Sequence, residues 1–202
     1  PTNNYPTLSP IDKNASSILS NGNLNFTINS TASIYGCKST FAVPRSGKWY
    51  FEATNVIANP YYVNLGLAKA VQLGSSTTLG TDTTMGISWS EFASYDQSWV
   101  DDWAPSTFNS WAGMSSPKNA NDVVMIAIDS DNGKLWFGKN GTWNSGSPSA
   151  GTSPAMTVST GLSINFPFVQ SYGTSSANIN FGQQPFKYTP PSGYVALNTY
   201  NM

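Results

Sequence analysis

The sequence predicts a single all-β domain of the size of one large β-sandwich. Two observations carry that prediction. Apolar and polar residues alternate in several short runs, and paired turn residues separate those runs. A third supports it: thirteen prolines and seventeen glycines are scattered through the 202 residues, which argues against long helices. The chain is long enough to bury a core without cross-links.

Leu24 to Ile28 alternates cleanly, with three apolar residues on one face, as a half-buried strand does. Lys48 to Ala53 predicts a second strand with Trp49, Phe51 and Ala53 on one side. Val123 to Ile128 is apolar throughout, as a central strand covered on both faces would be. Asp131-Asn132-Gly133 and Asn140-Gly141 then flank Lys134 to Lys139. Asn-Gly supplies the positive φ angles of tight hairpins, so Asp122 to Trp143 reads as strand, hairpin, strand and second turn. Leu162 to Phe168 alternates again, and Asn178 to Phe181 continues the pattern. Three stretches read as irregular: 1–22, extended and polar; 90–121, aromatic without a period; and 144–160, a long loop of Ser, Gly, Pro and Thr. Residues 1–22 are therefore taken as an extended N-terminal segment packing on or leading into the domain, and 23–202 as the sandwich.

Charge is scarce. Only 9% of side chains are charged, against about 25% in ordinary globular proteins. From Asn140 to Pro185 there is none. The nine Lys and Arg are scattered singly, so no basic stripe exists to neutralise phosphates, and nucleic acid is not an expected partner. No apolar run approaches the roughly 20 residues that span a bilayer, so membrane insertion is not expected. No signal peptide is visible, and the chain opens on Pro1, as a processed product or a piece of a longer polypeptide would. Hydrophobic residues make up 39%, with seven Trp, ten Tyr and ten Phe, which marks a folded chain solubilised by amides and hydroxyls. Such surfaces suit extracellular fibres and virions, the expected location.

The order of several blocks resembles a SPRY domain. The residues that carry the likeness are Gly47 to Glu52, Leu65 to Ala68, Met85 to Trp89, Asn121 to Asp129, Gly133 to Gly141, Asn180 to Phe186 and Pro190 to Tyr194. The likeness spans 23–202 and is closest to SPRY domains of phage structural and tail-associated proteins. Asn4 to Pro10, Gly141 to Thr152 and Leu197 to Asn201 point there. It implies two packed antiparallel sheets of concanavalin A-like, jelly-roll architecture, and a binding module with neither cofactor nor catalysis. Fold alone does not fix the ligand.

The candidate site is the stretch Trp89 to Trp103, followed by Phe108 and Trp111. Aromatic faces stack on sugar rings while carboxylates and amides accept hydroxyl hydrogen bonds, and Trp and Tyr dominate protein interfaces as well. Tyr95, Trp99, Asp101, Asp102, Trp103 and Trp111 are the candidate ligand residues; the competing reading is that this stretch plugs a satellite core. Trp49, Trp89, Trp136 and Trp143 are read as core. Asp129 to Gly133 hints at a calcium loop, but position 12 is Asn140 where a Glu is needed, and the hairpin explains the Asp and Asn equally well, so no metal is expected. The chain has no histidine, which excludes Ser-His and Cys-His triads and His-ligated zinc. The two glutamates, Glu52 and Glu91, lie far apart in sequence for a glycosidase pair. Cys37 reads as a buried small hydrophobe. Four sequons, at Asn14, Asn25, Asn29 and Asn140, are no more than this composition yields by chance.

The expected function is a non-catalytic binding or adhesion domain of a virion or tail-fibre-type protein that recognises a host-surface glycan or protein through loops. The alternative is a structural role among virion subunits, further copies of this chain included. A glycan-degrading enzyme is the third reading, motivated by fold kinship alone.

Overall fold

The computed structural model of the chain describes residues 3–55, 63–69, 86–89, 98–100, 105–108, 120–158 and 165–202. Among these there is no helix, and fourteen strands account for the regular structure. They are β1 (Leu8–Lys13), β2 (Ser17–Ser20), β3 (Asn25–Ser39), β4 (Lys48–Asn55), β5 (Val63–Lys69), β6 (Gly86–Trp89) and β7 (Ser98–Val100). β8 (Pro105–Phe108), β9 (Val123–Asp129), β10 (Lys134–Lys139), β11 (Thr142–Trp143), β12 (Met156–Val158), β13 (Asn165–Asn180) and β14 (Val195–Ala196) complete the set.

Apart from the short parallel pair of β14 with β4, the strands form two antiparallel layers that share two unusually long members. β3 has 15 residues and β13 has 16, where globular strands usually have about 3–10. The N-terminal half of β13 pairs with β5, which leads outward through β6 to β7. The same half pairs with the C-terminal half of β3, whose other side carries β1. The C-terminal half of β13 pairs with β4, which leads through β9, β10 and β12 to β8, and its partner, the first half of β3, carries β2. Between the halves the register steps from Tyr172↔Ile34 to Gly173↔Ser30, so β3 holds three more residues there than β13 does. Such an insertion bends and twists a strand pair, and it lets one strand serve two sheets.

Side chains from both layers meet in one core. Phe26 and Ile28 of β3, Phe51 and Ala53 of β4, Val124, Ile126 and Ile128 of β9, and Phe137 of β10 join Cys37, Leu65, Leu67 and Val169 of the other layer. The period-2 reading of β4 holds: Trp49, Phe51 and Ala53 point into this core. Tyr50 points the opposite way, into a second cluster with Met125, Ala127, Trp136 and Tyr194. Trp143, Phe186 and Tyr188 pack over that cluster, so the C-terminal segment covers the outer face of the second layer. β9 is buried along its whole length, as its apolar run predicted. The Asn140-Gly141 turn is also as read: φ is +51° and +87°, and Lys139 pairs with Thr142 across two residues, the mark of a type I′ hairpin.

The stretches read as irregular hold strands. Residues 8–20 form β1 and β2 on the two ends of β3. The 90–121 stretch contains β7 and β8, and the 144–160 stretch contains β12. β7 and β12 have three residues and β8 four, too few for alternation to show. The two runs read as separate strands at 162–168 and 178–181 belong to one strand over 165–180, whose middle carries the step in register at Tyr172/Gly173 and shows no apolar alternation in the sequence.

Ile126→Ala removes a fully buried side chain from the shared core and is expected to cost about 2–5 kcal/mol in denaturant unfolding followed by Trp fluorescence. Ile11, 88% exposed, is expected to tolerate Ala within about 0.5 kcal/mol.

Candidate ligand-binding groove

One open groove of about 260 Å³ lies where β4 and β13 end against the segment that follows β13. Strand period places its residues. On β4, Trp49, Phe51 and Ala53 point inward, which leaves Glu52 and Thr54 on the outer face. On β13, Ala177 and Ile179 belong to the core, which leaves Asn178 and Asn180 outward. The register sets Asn178 opposite Thr54 and Asn180 opposite Glu52. Asn21 and Leu24 of the β2–β3 turn line one side, and Gln183, Gln184, Pro185 and Lys187 line the other.

The base of the groove is held by side chains bonded to backbone. Asn180 accepts from the Gly182 amide at 2.9 Å and donates to the Pro185 carbonyl at 3.2 Å. Gln183 accepts from the Phe181 amide at 2.7 Å and donates to the Ile179 carbonyl at 3.0 Å. Glu52 is buried. Its Oε1 accepts from the Tyr50 hydroxyl at 2.7 Å and the Tyr188 amide at 2.8 Å, and its Oε2 accepts from the Lys187 amide at 2.9 Å. A buried carboxylate is tolerable only with such donors. Burial, and then the hydrogen bond to Glu52, push the Tyr50 phenol well above its usual range.

The rim differs. Among the described residues the side chains of Asn21, Thr54, Gln184 and Lys187 have no hydrogen-bond partner, and Asn178 uses only its carbonyl, accepting from Asn25 at 2.8 Å. The groove therefore joins a fixed base to a rim of uncommitted amide, hydroxyl and ammonium groups.

Of the residues singled out in the sequence, Trp99 lies on β7, its backbone paired with Ser88 of β6. Tyr95, Asp101, Asp102, Trp103 and Trp111 lie outside the described residues, as does Glu91. β7 and β8 stand at the two ends of the strand order, one in each layer. Trp49 and Trp136 are buried and Trp143 is half-buried, as read. Asp129 is occupied by its own turn: it accepts from the Asn132 backbone amide at 3.0 Å and from the Asn132 side chain at 2.9 Å, and lies 3.6 Å from the Lys48 ammonium. Asp131 accepts from the Gly47 amide at 3.0 Å. Among the sequons, Asn14 is wholly buried, its carbonyl accepting from the Gly36 amide at 2.6 Å. Cys37 is buried, and that burial pushes its thiol up to about 12.

Sequence reasoning passed over the groove. The outward Asn178 and Asn180 were visible in the strand pattern. Gln183, Gln184 and Lys187 reach the site through a turn with no periodicity to reveal it.

No family model matches the chain. Among solved structures it is similar to the SPRY domain of human HERC1, with a TM-score of 0.59 at 15% identity over 88% of this chain and 99% of that one. It is similar also to the PSpry domain of TRIM65, with a TM-score of 0.56 at 13% identity over 87% of this chain and 92% of that one. The chain thus has the all-β sandwich fold of SPRY domains.

Glu52→Ala leaves three donors without their acceptor and is expected to destabilise the fold by about 3 kcal/mol or more, read as a lowered denaturation midpoint. The raised Cys37 thiol is un-ionised when folded, whereas an unfolded thiol ionises near its ordinary 9.0. Its contribution is complete below 9.0 and is lost as pH rises toward about 12. The thermal midpoint is therefore expected to fall steadily above pH 9.0, and a thiol reagent at neutral pH is expected to label Cys37 only after unfolding.

Proposed function

We propose that this chain is a non-catalytic binding domain of a virion or tail-fibre-type protein, and that it recognises a host-surface glycan or protein through its loops. The observation that carries the reading is the SPRY-type sandwich with its described carboxylates committed to the fold. Glu52, Asp129 and Asp131 serve backbone amides, Asp122 accepts from the Asn140 side chain, and Asp12 pairs with Lys38. Hydrolysis of a glycosidic bond needs a carboxylate pair facing a cleft, and the described residues offer none. The phage setting is supported by the sequence likeness at both ends of the chain, and by a surface solubilised by amides and hydroxyls.

The aromatic stretch supplies the contact in this reading. Trp99, Trp103 and Trp111 bring apolar faces, while Tyr95, Asp101 and Asp102 bring hydrogen-bonding groups. Charge narrows the ligand. Between Lys69 and Lys118 the sequence has five acidic side chains and no basic one, whereas the remaining positions carry nine basic against five acidic. An anionic polymer would be repelled from that stretch, so its ligand is neutral or cationic.

A second reading, assembly with other virion subunits or further copies of this chain, is favoured by one observation. Ile11 and Ile18, on neighbouring strands that flank β3, are 88% and 54% exposed.

The purified domain is expected to bind bacterial cells or arrayed neutral polysaccharides, and a folded Trp99→Ala/Trp103→Ala variant to bind at least tenfold more weakly. Equal binding by the variant would remove the aromatic stretch from the site. If the intact domain binds neither cells nor any arrayed polymer, the recognition reading fails; concentration-dependent self-association in light scattering would then favour assembly.

A further inference from the structure

We propose that the groove between the ends of β4 and β13 is itself a ligand site, with no described residue of the aromatic stretch in its lining, and that it takes a neutral saccharide of one or two units. The inference does not depend on the virion reading, because it uses only the groove and its lining.

The chemistry of the lining selects the ligand class. A sugar hydroxyl both donates and accepts, and neighbouring hydroxyls do so at a fixed spacing. Amide and hydroxyl side chains do the same, whereas an ammonium only donates and a carboxylate only accepts. Asn21, Thr54, Asn178 and Gln184 present such two-way groups at the rim, beside Leu24 and Pro185 as apolar surface. An apolar patch among hydrogen-bonding groups suits the C–H face of a pyranose ring ringed by hydroxyls.

Charge and topology exclude the rivals. The lining carries one carboxylate, Glu52, and one ammonium, Lys187. An anion placed in the groove meets Glu52 and a cation meets Lys187, so neither gains what a neutral ligand forgoes. An extended peptide would need an open strand edge for its main chain. Here the edges of β4 and β13 pair with each other from Glu52↔Asn180 to Asn55↔Ala177, and the groove lies on the face of that pair. Its volume of about 260 Å³ falls just under the range of small-molecule sites, about 300–1,000 Å³. That size fits the end of a glycan rather than the middle of a long polymer.

The site is also preorganised. Asn180, Gln183 and Glu52 are locked to backbone groups, so a ligand orders only the rim. Less ordering on binding means that a small ligand loses less of its affinity.

The test is an NMR titration of the isotope-labelled chain with glucose, galactose, mannose, rhamnose, N-acetylglucosamine and their disaccharides. At least one is expected to shift the side-chain amide signals of Asn178 and Gln184 with a saturable curve. Thr54→Val and Gln184→Ala keep the buried base intact and are each expected to weaken that binding at least tenfold. The Trp99→Ala/Trp103→Ala variant is expected to leave it unchanged. Inorganic phosphate and methylammonium serve as charged controls and are expected to give no saturable shift. The proposal is overturned if no sugar of the panel moves those signals, if phosphate moves them as strongly, or if the groove variants bind as well as the parent. Loss of sugar binding in the Trp variant alone would assign the saccharide to the aromatic stretch and leave the recognition reading standing without the groove.

Discussion

The antiparallel pairing of β3 with β13 is the constraint on which the other elements depend. Eleven register pairs join the two strands, from Phe168↔Lys38 to Asn178↔Asn25. Every other sheet neighbour is placed by one of their halves, directly or through an intermediate. β5 and β1 take the edges in one layer, and β4 and β2 take them in the other. The step at Tyr172/Gly173 is what converts one long ribbon into two layers. Without the three extra residues on β3, the pair would continue as one flat ladder, and Cys37 and Val169 could not face Phe26 and Ile28 across a common core. The partners are also distant in sequence, so this pairing must close a long loop before it gains its contacts.

The second layer then needs a cover. β4, β9 and β10 carry large side chains on both faces, with Phe51, Ile126 and Phe137 inward and Tyr50, Met125 and Trp136 outward. Left open, the outer face would expose an apolar patch. The C-terminal segment closes it: Tyr194 meets Trp136 edge to face at 6.4 Å between centroids, and Phe186 meets Tyr50 likewise at 4.9 Å. Glu52 pins the same segment by taking the Lys187 and Tyr188 amides. The groove follows from this arrangement, since the turn that swings the chain back over β4 is the turn that supplies its far wall.

Much of the fold was legible in the sequence, for physical reasons that can be named. β4 and the start of β3 are half-buried, so alternation writes their inward residues directly into the chain. β9 is covered on both faces, and its continuous apolar run says so. Asn140-Gly141 is a turn whose positive φ angles few other residue pairs adopt, and it was read correctly. The full lengths of β3 and β13 were not legible. Their middle residues, Asn29 to Ser33 and Gln170 to Ser176, span the step in register and show no apolar–polar alternation in the sequence, so periodicity fails where topology is decided. β7, β8 and β12 are shorter than one full alternation. The groove was legible only in part. Asn178 and Asn180 stand out as the polar half of a strand, but Gln183 is placed by hydrogen bonds to Phe181 and Ile179 that no spacing rule anticipates. Glu52 was noticed as a carboxylate and considered for catalysis; its three donors give it a structural task instead.

The described carboxylates show where so charge-poor a chain uses its acidic groups. Five of its ten acidic residues fall among the described residues, and each is used by the fold. Three of them (Glu52, Asp122 and Asp129) are buried, where a carboxylate is stable only while its donors stay in place. Negative charge in the described sandwich is thus committed to the fold, on fixing turns and closing the C-terminal cover. What remains for the outer surface is mostly amide and hydroxyl chemistry, with a few lysine and arginine side chains such as Lys187 and Arg45. Amides at ordered strand positions recognise by geometry rather than by long-range attraction, and their contacts resist salt screening in a way that surface ion pairs do not. A ligand held by such groups must present hydroxyls at matching spacing, and a fold that locks Asn180 and Gln183 to its own backbone keeps the base beneath them fixed.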